Sequence, residues 1–281
     1  MERFVELLES FRPEMLRTKT TPRNMSQQVN KARVQTSFAK RLYSYNQHAE
    51  AQAYMAEELI ERLRQIHPDR FARVLEIGCG TGILTERFLK TFSASTLYAN
   101  DLVEECGAMA DDIFRQYPDG RFAFIGGDIE RIDGLPDHLD LILSGATFQW
   151  LHDLGGFLTR IKPLLTANGL LAFSTFGTEN LSEIRALTGN TLLYLSREEI
   201  HGLLRERFEV LACAEERVTL HFPSPTHVLR HLRLTGVNGL SSQKTWTKSD
   251  LTEFERAYRE RFETHNRIPL TYHPIFCLCR R

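Results

Sequence analysis

Between Arg73 and Phe176 short apolar runs alternate with stretches of helical period, and this rhythm restricts the 281-residue chain more than any other feature. Strands are read at 73–77, 96–100, 122–125, 139–143 and 170–176, and helices at 83–91, 104–117 and 154–165. Strands joined through helices predict a parallel sheet covered on both faces, because each crossover helix must pack back on the sheet it left. The first strand, Val74-Leu75-Glu76-Ile77, stops on Gly78-Cys79-Gly80-Thr81-Gly82. Glycines at such a point let the backbone turn tightly and come close to a ligand.

Around this core the periodicity predicts a helix over 46–66, with Tyr54, Met55, Leu59, Ile60 and Leu63 at helical spacing. After Phe176 come a helix over 196–208, a long strand over 209–222, helices over 226–234 and 249–263, and a closing strand over 270–278. Ser196 and Glu199 have the spacing of a capping box. The last strand is expected to run antiparallel beside the long one. The expected division is an N-terminal extension over 1–28 and one domain over 29–281. Within that domain, 29–66 form cap helices, 67–222 and 268–281 the core sheet, and 223–267 a cap over the substrate.

Composition excludes several classes of function. No run approaches the roughly 20 apolar residues of a membrane span. The first 20 residues mix acids and bases through a helical pattern at Phe4, Val5, Leu7, Leu8 and Phe11, unlike a secretory signal. Cys79, Cys106, Cys213, Cys277 and Cys279 are odd in number and show neither disulfide nor metal spacing, so a reducing cytoplasm and no metal are expected. Net charge is -1, yet the stretches 15–49 and 217–249 hold no acid and carry seven and five bases. If they meet, they offer a positive face to an anionic partner.

The glycine spacing is G-x-G-x-G, not the G-x-G-x-x-G of dinucleotide binders, and Glu76 stands two residues before it. A carboxylate there repels a pyrophosphate and attracts the ammonium group of a sulfonium amino acid. Asp101 ends the second strand, where an acid accepts from ribose hydroxyls. Asp128 follows the third strand, placed to accept from an adenine amino group while Ile129 covers the ring. Ser144 ends the fourth. On these marks, from about Tyr54 to Arg281, the chain resembles the Rossmann-like class I S-adenosylmethionine-dependent methyltransferases. The resemblance implies an α/β fold with a seven-stranded, mostly parallel sheet whose last strand is antiparallel. It also implies S-adenosylmethionine as cofactor, lined by Glu76, Gly78, Gly80, Asp101 and Asp128; Cys79, Gly82, Leu102, Ile129 and Ser144 complete the expected set.

The acceptor is sought outside the core. Residues 37–52, with Phe38, Tyr45, His48 and Gln52, then Phe148-Gln149-Trp150, Leu229-Arg230-His231-Leu232-Arg233 and Pro269-Leu270-Thr271-Tyr272-His273 together resemble the malonyl-acyl carrier protein O-methyltransferases. That resemblance implies methylation of the free carboxylate of a malonyl thioester at the start of biotin synthesis, with carrier protein or coenzyme A as the thioester's carrier. A malonyl carboxylate is already ionised at neutral pH, so transfer needs alignment and a dry site rather than a base. Arg230, one turn from Arg233, is expected to hold it with Tyr45, Tyr272 and His273 as further donors. Phe148 and Trp150 are expected to wall the pocket, and Lys31, Arg33, Lys40, Arg41 and Arg233 to steer an acidic carrier. The fourth strand leads into Ser144-Gly145-Ala146-Thr147, without the proline expected of a base-extruding methyltransferase, so nucleic acid is not an expected partner. A monomer is expected.

Overall fold

The computed structural model describes residues 29–67, 70–117, 120–189, 192–235 and 247–281. The extension over 1–28 and residues 236–246 of the expected cap lie outside the described residues. The chain divides into two compact units.

The larger unit comprises Leu42–Gly177, Leu195–Glu216 and Pro274–Arg281. Its sheet has seven strands in the order β3-β2-β1-β4-β5-β9-β6: β1 Arg70–Ile77, β2 Ser93–Asp101, β3 Arg121–Gly126, β4 Leu139–Gly145, β5 Leu165–Phe176, β6 Glu209–Glu215 and β9 Pro274–Arg280. The first five are parallel, and β9 runs antiparallel between β5 and β6. This is the sheet that the resemblance implied. Val74, Leu75, Ile77, Leu141, Ile142 and Leu143 are completely buried, as a sheet covered on both faces requires. Chain order reverses between β1 and β4, which opens a crevice at the carboxyl ends of these two strands.

α2 (Leu42–Tyr45) precedes α3 (Glu50–Arg64), which buries Ala51, Met55, Ala56, Leu59, Ile60 and Leu63. α3 packs against α4 (Ile83–Thr91) and the sheet, so it belongs to the core and is no cap helix. α5 (Glu105–Phe114) and α6 (Leu154–Ile161) follow β2 and β4. α8 (Arg197–Arg205) starts on the expected capping box: Ser196 Oγ accepts from the Glu199 N–H at 3.2 Å, and Glu199 accepts from the Ser196 N–H at 2.8 Å.

The smaller unit comprises the chain up to Arg41, Thr178–Tyr194 and Arg217–His273. It contains α1 (Lys31–Ala39), α7 (Ser182–Thr188), α9 (Pro225–Leu234), α10 (Lys248–Phe262) and a two-stranded sheet of β7 (Val218–Phe222) and β8 (Ile268–Tyr272). The sequence reading missed α7: its N-cap Leu181 sits at φ 54 without a side-chain cap, so no start signal precedes it.

Two expected strands are corrected here. The long strand over 209–222 is β6 followed by β7, and the closing strand is β8 followed by β9, each pair split between two sheets. β7 and β8 therefore lie outside the core sheet to which 67–222 and 268–281 were assigned. The cause is local polar competition. The Glu216 carboxylate accepts from Tyr54 and Arg62 of α3, whereas Arg217 is bonded to Glu179 through both nitrogens of its fork. Glu216 is thus anchored within the larger unit and Arg217 within the smaller one, at the point where β6 gives way to β7. On the other strand His273 Nδ1 accepts from the Glu179 N–H at 3.0 Å, and Pro274 has no N–H with which to extend the ladder.

Candidate functional site

The carboxyl end of β1 enters a loop whose three glycines all have positive φ: 74° at Gly78, 54° at Gly80 and 84° at Gly82. Side chains are also excluded by packing. A Cβ on Gly78 would lie 2.6 Å from Thr147 Cγ2, and one on Gly82 would run into Ile113. The Gly78 and Cys79 N–H groups donate to the Asn100 carbonyl at 2.8 and 2.9 Å, which ties the loop to β2. Asn100 was missed from sequence; its amide also donates to the carbonyls of Ile125 and Gly127, so it holds three chain segments at once.

Two acids converge on this loop. Glu76 is fully buried; one carboxylate oxygen accepts from Thr85 Oγ1 at 2.7 Å and the other has no partner. Burial pushes its carboxyl up to about 8, nearby Asp101 adds to the rise, and the Thr85 bond opposes it. Asp101 is buried as well, and burial raises its pKa against the pull of its hydrogen bonds. Its oxygens accept from the Gly80 N–H and the Val103 N–H, both at 2.8 Å. The Cys106 thiol and the Leu102 N–H are hydrogen-bonded to the same carboxylate. The half-buried Tyr45 lies close enough to Asp101 to feel its charge; burial first and then Asp101 raise its hydroxyl well above the ordinary range. Asn46, next in sequence, accepts from the Thr81 hydroxyl in the loop.

The remaining expected cofactor residues have mixed placements. Asp128 is half-buried, accepts from the Glu130 N–H at 3.1 Å and pairs with Arg131 at 3.8 Å. Leu102 is half-buried beside Asp101 in the chain. Ile129 is a core residue, packed in the same cluster as Phe148 and Phe157. Ser144 is fully buried and spends its hydroxyl on the Ile77 carbonyl at 2.8 Å, joining β4 to β1. Cys79 is buried with its thiol pKa raised well above normal by burial, which makes it packing and not a nucleophile.

Phe148 does not wall a pocket. It is buried in a stack on Phe173 with ring centroids 4.6 Å apart and meets Phe157 edge-on, while Trp150 is half-buried. The sequence reading could not separate these two aromatics because a 3-10 turn, Phe148–Trp150, decides which faces inward.

In the smaller unit Arg230 is exposed on α9, and Arg233 one turn later is half-buried. Arg41 is half-buried too, with its guanidinium donating to the Ser37 carbonyl at 2.6 Å and to the Ser37 hydroxyl. Burial and then the charge of Arg233 hold its pKa below the usual value. Two guanidinium groups are therefore brought within electrostatic reach of each other. Lys40 and Arg33 are exposed, while Arg217 is engaged by Glu179. Tyr272 and His273 both have structural partners. Tyr272 is buried with its hydroxyl 2.8 Å from His231 Nε2, and His273 is buried with Nδ1 accepting from the Glu179 N–H.

Among the described residues no three His, Cys, Asp or Glu side chains come together as a metal site, and no helix is long and apolar enough to cross a membrane.

Known proteins share this fold. Residues 75–173 match the family model described as a methyltransferase domain. The fold is that of a putative methyltransferase from Bacillus halodurans, with a TM-score of 0.58, 14% identity and coverage of 79% of this chain and 97% of the other. The N-methyltransferase NodS of Bradyrhizobium japonicum, in complex with S-adenosyl-L-homocysteine, aligns with a TM-score of 0.53 at 14% identity over 89% and 98% of the two chains. In sequence the chain is 42% identical over 254 residues to the malonyl-[acyl-carrier protein] O-methyltransferase of Chlorobium luteolum, covering 90% of this chain and 96% of the relative. It is 36% identical to the Haemophilus influenzae protein of that name, over 90% and 95%. With full-length relatives at this level of identity, the chain belongs to the malonyl-[acyl-carrier protein] O-methyltransferase family.

Proposed function

We propose that the chain moves a methyl group from S-adenosylmethionine to the free carboxylate of a malonyl thioester borne by acyl carrier protein, the ester that opens pimeloyl synthesis for biotin. The observation that carries the cofactor is the unpartnered, buried oxygen of Glu76 beside a loop that leaves no room for a Cβ at Gly78 or Gly82. A buried polar atom without a partner is costly, and an ammonium group is the donor that best matches a carboxylate there. The residues fit the cofactor: Glu76 for the amino group, Asp101 for the ribose hydroxyls, and Asp128 for the base. The names of the relatives support the acceptor.

When bound, the cofactor supplies a methyl carbon made electrophilic by its sulfonium; the carbon–sulfur bond breaks as a carbon–oxygen bond forms. The protein's part is to hold and orient. An ionised carboxylate needs no base, so the work falls to cations that fix one oxygen while leaving a lone pair toward the methyl group. Arg233 with Arg41 suits this better than the exposed Arg230, since half-buried guanidinium groups close together concentrate positive potential. Arg230 then serves the rim. Tyr45 beside Asp101 adds a hydroxyl that stays protonated at all working pH. Tyr272 and His273 act through their structure, with Tyr272 fixing His231 and His273 fixing the backbone at Glu179.

The direct test is mass spectrometry of malonyl-acyl carrier protein after incubation with S-adenosylmethionine. A gain of one methyl group, absent when acetyl replaces malonyl, is expected; no gain on malonyl alongside turnover of another acid overturns the assignment.

Exposed bases of the smaller unit, Arg33, Lys40 and Arg230, form the rim toward an acidic carrier. Lys40→Glu is expected to raise the KM for the carrier-bound substrate several-fold at low salt and to leave kcat unchanged, with the difference fading at high salt. An unchanged KM at low salt removes Lys40 from the docking surface.

A further inference from the structure

The turn that leaves β4 holds a residue in a conformation its Cβ disfavours. Ala146 has φ 49, in the left-handed region. Three bonds keep it there. Its N–H donates to the Ser174 carbonyl at 3.0 Å, with the Ser174 hydroxyl at 3.3 Å as a second acceptor. Its carbonyl accepts from Gln149 Nε2. The other end of the same amide, Gln149 Oε1, accepts from Thr175 Oγ1 at 3.3 Å. Gln149 thus bridges the turn after β4 to the end of β5, and both of its polar ends are used.

The turn's position matters because of what it touches. Thr147 follows Ala146, donates its hydroxyl to the Gly145 carbonyl at 3.0 Å, and occupies the space beside Gly78 that a Cβ would need. Gly78 is the first glycine of the loop, directly after the strand that carries Glu76. Removing the Gln149 bridge frees Ala146 to relax toward negative φ, and that rotation moves Thr147 against or away from Gly78.

We infer that Gln149 is a positioning residue for the cofactor loop, acting through Thr147 on Gly78. The inference rests on the proposed role of the loop in holding S-adenosylmethionine. A double-mutant cycle on S-adenosylhomocysteine affinity, measured by calorimetry, tests it. Gln149→Met keeps side-chain length and removes both hydrogen bonds; it is expected to weaken binding about tenfold. Thr147→Ala removes the contact, and in that background Gln149→Met is expected to change affinity less than twofold. Amide exchange at Gly78 and Cys79 should quicken in Gln149→Met alone. If Gln149→Met folds poorly, Thr175→Val, which removes only the hydroxyl that donates to Gln149, replaces it with a smaller loss of the same pattern. Additive losses, or an unchanged affinity in Gln149→Met, overturn the inference. Wild-type protein that takes up no S-adenosylhomocysteine overturns the cofactor reading instead.

Discussion

Glu76→Gln is expected to weaken S-adenosylhomocysteine binding about 100-fold at pH 8, equivalent to about 3 kcal/mol. The substitution keeps shape and leaves an oxygen for the Thr85 hydroxyl, but it replaces the unpartnered carboxylate oxygen with an NH2 group that faces the ligand's ammonium. The effect depends on pH in a stated direction. Burial raises the Glu76 carboxyl to about 8 in the empty protein, so it is largely protonated at pH 6 to 7. Binding a cation favours the ionised form, so wild-type affinity should tighten from pH 6 to 8 with release of a proton, while Glu76→Gln shows neither slope nor release. Calorimetry in buffers of different ionisation enthalpy counts the protons. Equal release by both proteins sinks the assignment.

The same group sets a stability trend of opposite sign. An acid whose folded pKa lies above its unfolded value contributes stability that is complete below the unfolded value and is lost as pH rises through the folded one. The empty protein should therefore lose stability between about pH 4.5 and pH 8, and Glu76→Gln should flatten that part of the curve. Ligand binding offsets the loss, so the rise in Tm caused by S-adenosylhomocysteine should grow with pH.

Arg233→Ala is expected to lower kcat/KM for malonyl-acyl carrier protein by about 100- to 1000-fold, or about 3 to 4 kcal/mol, the loss typical when a desolvated charge partner is removed. S-adenosylhomocysteine affinity should stay within about twofold of wild type, since the cofactor groups lie on other residues. Empty Arg233→Ala protein should melt no lower than wild type, because removing one of two like charges relieves the repulsion that adds to burial in lowering the Arg41 pKa. Arg230→Ala, at an exposed position, should cost far less activity. If Arg230→Ala proves the more damaging of the two, the carboxylate is held by the outer arginine.

Much of the site was legible before any coordinates. The alternation of strand and helix, the three glycines with Glu76 ahead of them and Asp101 at the end of β2 are local patterns, and in the structure Asp101 meets the loop at the Gly80 N–H. Other placements were not legible, for one shared cause. Phe148 and Trp150 are two residues apart and both aromatic, and only the turn geometry sends Phe148 into the core. Ile129 and Ser144 have side chains suited to a pocket and are used for packing and for a strand-to-strand hydrogen bond. Tyr272 and His273 were read as substrate donors, yet their partners are His231, 41 residues away in the chain, and Glu179, 94 residues away.

Sequence by itself determined the parallel sheet and the glycine loop at the end of its first strand, because periodicity and turn chemistry are encoded by neighbours along the chain. Tertiary structure alone decided that Glu76 keeps an oxygen unpaired, that Arg41 comes within electrostatic reach of Arg233, and that two apparent strands break at Glu216–Arg217 and at His273. The physical reason is that burial and the competition for hydrogen-bond partners are set by residues far apart in the chain, and no local pattern records which of them wins.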